Sequence, residues 1–381
     1  MNNSKTSIAI VGGSLAGLTL ALACSARGLA VHVIERSQAR VQGGDSLGVD
    51  LAAIALTTGH DPRQQPALPV VPAYRDRHLT TWPALYAWLH ERASKATGVT
   101  FQQGANVSSV TDLGDQVQLQ LSNGAQHFAD VAIGADGYNS VVRRAIVPAD
   151  PLARYAGYLV WRGLIEERML TRPVAWPSQG GLWIDFAEGY RLVAAVLPGR
   201  DGSLAPGQRQ VTFAWFDAHQ DDLLRRTGCL TEDGFIVGTL GRHKITPLIR
   251  IELLRRVAEQ WPDPWAEAVS AGVQSLDALS GAPIAEYMPK RLASGRLALI
   301  GDAAHVVSPM TGRGFVTGVE DAAMLAQALA DRQTQEPAAL ALARYEEARL
   351  PFVQGLVRQS RQISAEYLHL AVSRRRLEHH F

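Results

Sequence analysis

A chain of 381 residues is too long for one ordinary core and predicts two or three domains. Hydrophobic residues make up 47% and charged residues 19%, which suits an α/β globular protein and excludes a disordered or fibrous one. Nothing in the net charge of +1 argues for nucleic acid or an anionic membrane as partner, although small basic patches remain open, and the only two cysteines, Cys24 and Cys229, exclude a disulfide framework and suit a reducing cytoplasm.

Residues 7–26 carry no charge, which is the length of a spanning helix or a signal core. Gly12, Gly13 and Gly17 argue against that reading, because a glycine cluster starts a turn more readily than it makes a buried helix. The segment instead predicts a buried strand (SIAIV), a glycine turn, a helix (LAGLTLALACSARG) and a second buried strand (AVHVIE) that closes at Glu35. Such a βαβ unit binds a dinucleotide: the open helix start holds the pyrophosphate, the glycines admit it closely, and an acid ending the second strand accepts from ribose hydroxyls. The turn reads Gly12-Gly13-Ser14-Leu15-Ala16-Gly17, with Ser14 in place of the usual second glycine. Glu35 does not by itself decide between NAD and FAD.

Further along, alternation in QVQLQL between the turn signals LGD and SNG predicts a β-meander within residues 104–135. The stretch ADVAIGADGYNSVVRRA predicts a strand, a turn at Asp136-Gly137 and a helix start carrying Ser140 and Arg143. GLWIDF, YRLVAAVLP and QVTFAWF predict strands of a mixed sheet, followed by helical DDLLRRTG and IELLRRVAEQW. In 295–329 a buried strand, LALIG, runs into Asp302, then a loop with Pro309, Gly312 and Gly314, then an apolar helix from about Phe315. An acid at the carboxyl end of a strand lies where α/β sheets bind ligands. Residues 338–378 predict a long amphipathic helix or helix pair, and the terminal RRRLEHHF is left out of the reading. His60, His78, His219 and His243 make no metal spacing, and no metal is expected.

The glycine turn, the mid-chain Asp-Gly and the late G-D-x-x-H-x-x-x-P-x-x-G-x-G, in this order, resemble the FAD-dependent aromatic hydroxylases, the single-component flavoprotein monooxygenases. RYEEARLP resembles that family's Tyr-Glu-x-x-Arg-x-Pro helix. YAGYLVWRG and the serine in the turn are most similar to the subgroup acting on hydroxylated pyridines, the 2,6-dihydroxypyridine and 6-hydroxynicotinate 3-monooxygenases. The resemblance implies a Rossmann-like FAD-binding domain (βαβ plus β-meander) from residues 1–75, 95–155 and 282–335. It also implies a mixed-sheet substrate domain from 76–94 and 156–281, and a C-terminal helix at 338–378. FAD would be held by Gly12, Gly13, Ser14, Leu15, Ala16, Gly17, Glu35, Arg36, Gly48, Val49, Val107, Asp136, Gly137, Arg143, Gly301, Asp302, Pro309, Gly312, Gly314 and Phe315.

The implied chemistry is hydroxylation of an electron-rich aromatic or N-heteroaromatic small molecule. NADH or NADPH acts as transient reductant, and O2 adds at flavin C4a to give the hydroperoxide that transfers oxygen. A base near the ring helps, since the phenolic anion reacts faster. Asp50 and His305 are the candidates, with Pro309 at the reaction site. Tyr158, Trp161, Trp183, Tyr190, Trp215 and Phe216 are expected mostly in the core, with two or three at a pocket. Arg162 could meet a substrate carboxylate, although a surface or capping role is the simpler expectation. Two departures stand out. Trp82 occupies the place of an arginine that touches FAD in the family, and the loop GGDSLGVDL aligns at Gly48-Val49 across an uncertain gap. A halogenase, a dehydrogenase or reductase, and a non-catalytic binding protein stay open as alternatives. A cytoplasmic monomer or homodimer is expected.

Overall fold

The computed structural model describes residues 6–38, 46–73, 77–175, 181–187, 190–333 and 335–378, with the main chain alone at 187 and 372–378. The predicted βαβ unit is present: β1 (Ile8–Val11), α1 (Leu15–Ser25) and β2 (Val31–Glu35), with β1 and β2 parallel and Ile8 opposite Val31. β1 is buried along its whole length, as a central parallel strand must be when helices cover both faces. Next come β3 (Ser46–Val49), α2 (Leu51–Thr58), β4 (Val71–Pro72), β5 (His78–Thr81), α3 (Trp82–Lys95) and β6 (Val99–Gln103). Asp50 and Thr81 start the two helices as side-chain N-caps.

The expected meander is β7 (Val107–Asp112), β8 (Val117–Leu121) and β9 (Gln126–Ala129), an antiparallel sheet of its own. β10 (Val131–Gly134) then returns beside β1, and α4 (Val141–Ile146) follows. The second half opens with the 13-residue β11 (Arg154–Glu166) and continues through β12 (Leu182–Ala187), β13 (Tyr190–Leu197), β14 (Gln210–Ala218), α5 (Asp221–Arg226), α6 (Pro247–Gln260) and α7 (Trp265–Gln274). β15 (Leu279–Glu286) leads back through β16 (Ala293–Ser294) and β17 (Leu297–Leu299) to α8 (Gly314–Ala330) and α9 (Ala338–Glu378).

Two large sheets result. One has the order β16-β17-β10-β1-β2-β6, and the other β12-β13-β14-β11-β15. β3, β5 and β4 form a small sheet, and Val71 and Leu79 from it pack on Ala195 and Leu197 of β13. α3 packs on α1, with Leu85, Trp88 and Leu89 against Leu15, Leu18 and Leu22. The helix α7 is not evident in the sequence, because Gly272 interrupts it. The structure gives the reason for that glycine: a Cβ there would strike the Phe213 ring of β14.

Alternation sorts the aromatics of the five-stranded sheet onto two faces. Trp161, Phe213 and Trp215 pack with Trp261 and Trp265 under α6 and α7. Tyr158 and Phe216 point the other way and meet Tyr367 of α9.

Candidate functional site

The glycine turn is built for close approach. Gly12 has φ +104°, and a Cβ there would run into the Ala135 carbonyl oxygen; a Cβ on Gly17 would run into the carbonyl of Gly12. Glu35 braces the turn, its carboxylate accepting from the Gly13 amide at 2.7 Å and the Ser37 amide at 2.8 Å. Ser14 is the N-cap of α1 in extended conformation. It is exposed, makes no capping bond, and is followed by a first turn with no acidic residue. The start of α1 therefore presents free N–H groups, a hydroxyl and the positive end of a helix dipole. Arg36 is exposed at the end of β2.

The late motif meets this turn directly. A Cβ on Gly301 would lie 2.9 Å from the Cβ of Ala16, so the strand leading to Asp302 passes against α1 at glycine spacing. The Asp302 side chain is open to solvent, yet protein crowds it. That crowding raises its carboxyl pKa, with the charges of His305, Arg143 and Arg162 pulling the other way. An accessible acid enclosed by protein marks the floor of a cleft. Pro309, exposed, opens the turn Pro309–Thr311; Gly312 follows at φ +61° and Gly314 begins α8, whose first turn also lacks an acid. Positions equivalent to a Cβ on Gly48 and Gly314 face open space, and Arg77 reaches over to the Gly312 carbonyl at 3.3 Å.

Other expected residues lie in the core or in clasps. Val49 and Val107 are buried, and Phe315 packs into the α1–α3 cluster. Asp136 accepts from the Val141 amide at 2.7 Å, and its other oxygen is buried without a partner; burial raises its pKa. Gly137 takes φ +77°. Arg143 is 0% exposed. Its guanidinium is directed at the carbonyls of Pro151 (2.7 Å), Asp302 (3.2 Å), Ala303 (2.9 Å) and Tyr138. It lies behind the cleft and ties the Asp-Gly turn to the Gly-Asp turn. The expectation that it touches FAD is corrected by that burial.

His305 is corrected in the same way. It is 1% exposed, its Nε2 lies 2.7 Å from Asp321 Oδ2, and its Nδ1 is buried without a partner. A group closed off on both nitrogens cannot take a proton from a ring in the cleft. Asp50 caps α2, accepting from the Ala53 amide at 2.9 Å, and the structure does not bring it together with His305.

Two side chains missed in the sequence hold the cleft in shape. Asp321 on α8 accepts from the Gly301 amide (2.9 Å), His305 and Arg349 Nε (2.6 Å). Burial alone would raise its pKa, but His305 and Arg349 more than offset this and hold it below the ordinary value. Ser308 is the other. Its Oγ accepts from Tyr158 Oη (2.6 Å) and the Met310 amide (3.0 Å), and its amide donates to Ser360 Oγ (2.7 Å). A glycine or G-D motif draws the eye; a lone Asp or Ser on a buried face does not.

Ala16 at the start of α1 packs against both Gly301 and Gly318, so the acid-free starts of α1 and α8, the unbonded Ser14 hydroxyl, the close-approach glycines and the accessible Asp302 are neighbours. Anion-binding backbone at one end and a hydroxyl-accepting carboxylate further in suit the pyrophosphate and polyol of FAD. Residues 255–360 match the family described as FAD binding domain, and residues 155–274 match one described as FAD binding domain-like. Over 94% of its length the chain is 27% identical to 3-amino-4-hydroxybenzoate 2-monooxygenase of Streptomyces cremeus, covering 87% of that protein. The chain is thus similar over most of its length to FAD-dependent aromatic hydroxylases, the family that its motifs resemble. It is an FAD-dependent monooxygenase. It is also 26% identical over 86% of its length to 2,6-dihydroxypyridine 3-monooxygenase of Paenarthrobacter nicotinovorans, 83% of which it covers. The solved 2,6-dihydroxypyridine-3-hydroxylase from Arthrobacter nicotinovorans shares the enzyme's fold with a TM-score of 0.76 at 22% identity, over 96% of this chain and 93% of that one. Among the described residues no helix is long and apolar enough to cross a membrane, and no group of side chains has the makings of a metal site.

Proposed function

We propose that the enzyme consumes NADH or NADPH and O2 to hydroxylate an electron-rich aromatic or N-heteroaromatic small molecule. The observation that carries this reading is the close packing of the Gly301–Asp302 turn and of Gly318 in α8 on Ala16 at the start of α1. FAD, when bound, supplies hydride acceptance and the activation of O2 for insertion into the ring. Everything else falls to the chain.

In this reading the open amides from Ser14 to Gly17 and the Ser14 hydroxyl would hold the pyrophosphate, while Glu35, which already holds the Gly13 amide, would accept from the adenosine ribose. Asp302 accepts from the ribityl hydroxyls. The start of α8 after Gly312 turns N–H groups and a partial positive charge toward the flavin edge that becomes anionic on reduction. Pro309 and Met310 form the wall between that edge and the five-stranded sheet. Asp50 stays as the general-base candidate, because its second oxygen has no hydrogen bond among the described residues. The names of the relatives, an aminohydroxybenzoate and a dihydroxypyridine monooxygenase, support a ring activated by hydroxyl or amino groups.

The test is purification followed by turnover. The expected result is a yellow protein with about one FAD per chain, whose oxidation of NADH or NADPH rises on adding a hydroxylated benzene or pyridine, with a product one oxygen heavier. Substrate turnover without O2 would replace this reading with a dehydrogenase.

A further inference from the structure

A pocket of about 330 Å³ opens beside the Pro309–Thr311 turn, lined by Phe186, Tyr190, Arg191, Met310, Ile363 and Tyr367. This is the small end of the range for ligand sites, about 300–1,000 Å³, and suits one ring rather than several. Its lining is mostly apolar, apart from Arg191 and, at the rim, Glu366, which is exposed and accepts from Gln362 at 2.9 Å.

Arg191 is an anomaly in this setting. Its guanidinium lies 5.4 Å from the Phe186 ring and 5.2 Å from the Phe216 ring. Among the described residues it makes no hydrogen bond or ion pair, and its Nε is buried without a partner. Aromatic faces stabilise the cation but do not use its in-plane donors. The buried Nε is costly to leave unmet, while the terminal nitrogens of this half-buried side chain are not closed off and can take ligand oxygens in place of water. A planar carboxylate matches it, two oxygens against a fork of N–H groups.

Register places this pocket on the cleft side of the sheet. Arg191 pairs with Phe216, which pairs with Val160; one row on, Val193 pairs with Ala214, which pairs with Arg162. Arg191 and Arg162 therefore share a face, two strands and one row apart, about 12 Å between backbones. Arg162 is close enough for its charge to act on Asp302.

We propose that Arg191 is a specificity-determining residue that binds the carboxylate of a single-ring aromatic acid, whose ring lies in the Phe186–Met310–Tyr367 pocket. This rests on the proposed hydroxylase reading, because it is the flavin at the Pro309 turn that makes the pocket a substrate site. The carboxylate at Arg191 fixes the ring's distance from that turn, and so which carbon faces the oxidant. Glu366 at the solvent rim disfavours a second negative charge on the ligand's outer side.

The test uses the flavin-loaded protein with 2-, 3- and 4-hydroxybenzoate against the matching hydroxybenzamides, by calorimetry and by the shift in flavin absorbance. At least one acid is expected to bind roughly 30-fold or more tightly than its neutral amide. Arg191→Gln should weaken that acid roughly 10- to 100-fold, the loss of charge-assisted hydrogen bonds, with Arg191→Lys between the two and FAD content unchanged in both. Amides that bind as well as acids, an Arg191→Gln protein that keeps wild-type affinity, or no acid binding below 10 mM would each overturn the assignment. Calorimetry separates two failures. Acid binding with no flavin shift leaves the carboxylate site standing and removes the hydroxylase reading, whereas bound FAD without acid binding does the reverse.

Discussion

Replacing Asp321 by Asn tests how the cleft is held. The three donors on this carboxylate come from three different segments: the Gly301 amide, His305 and Arg349. An amide in its place keeps one acceptor oxygen and turns an NH2 group toward a donor. The least costly arrangement keeps Gly301 and His305 on the oxygen and sets the NH2 against Arg349 Nε. Breaking a buried ion pair by removing one charge costs about 3–5 kcal/mol. Arg349 keeps the Thr317 carbonyl at 3.1 Å and the half-buried Glu320 at 2.7 Å, so the lower end, about 3 kcal/mol, is expected. That is about a fifth to three fifths of the stability of an ordinary domain.

Urea unfolding at pH 7, followed by tryptophan fluorescence, measures the loss. The pH dependence adds a second check. The folded Asp321 carboxyl lies below its ordinary value of 3.8, so its contribution is fully present above that pH and is lost as pH falls through the folded value. The gap between wild type and Asp321→Asn should therefore close below about pH 4. A variant within about 0.5 kcal/mol of wild type at pH 7, or a gap unchanged down to pH 3, would refute the idea that this carboxylate is a charged anchor.

Three further outcomes are expected. Gly17→Ala forces a Cβ into the Gly12 carbonyl, so the purified protein should lose its flavin while Gly59→Ala, far from the cleft, keeps it; absorbance at the flavin band decides. Ser308→Ala removes the acceptor for Tyr158 and the Met310 amide and should cost about 1–3 kcal/mol in thermal melting, with weaker FAD retention on dialysis. Asp302→Asn should weaken FAD yet stabilise the flavin-free protein at pH 7. A carboxyl whose folded pKa is raised penalises folding once pH exceeds its unfolded value, so neutralising it removes that penalty; equal or lower melting of the flavin-free variant would refute this.

Much of the fold was legible because it depends on local signals. Gly12 and Gly17 mark a close approach that a side chain would block, and the period of 2 in QVQLQL names a strand; α1 is buried on every side and is marked by its ends rather than by a polar face. The site was less legible. His305 stands in a motif that reads as chemistry, yet its partner Asp321 is sixteen residues on, across a loop, and only the packing of α8 on the Gly301–Ala303 turn joins them. Arg143 looks like a cofactor ligand by position, but the carbonyls that surround it belong to segments up to 160 residues away. Arg191 and Ser308 carried no pattern at all. Arg191 matters because its guanidinium makes no hydrogen bond or ion pair among the described residues, which sequence spacing does not reveal. The halves of RYEEARLP also acquire separate jobs: Tyr345 donates to the Leu299 carbonyl (2.9 Å), Glu346 accepts from the amides of Leu292 and Ala293 (2.6 Å each), and Arg349 grips Asp321.

α9 runs 41 residues, about 60 Å, and about 33 Å of it separates Tyr345 from Tyr367, which with Ser360 and Ser364 serves the other large sheet and its Ser308 loop. It works as a crankshaft. Adding or deleting one residue between Arg349 and Ser360 would rotate everything beyond by about 100°. Both serines would swing off Ser308 and Tyr158, and Tyr367 would leave the pocket wall, while each half kept its own core. The phase of a single helix thereby times one half of the protein to the other, and insertions should be tolerated at its far end long before they are tolerated in that span.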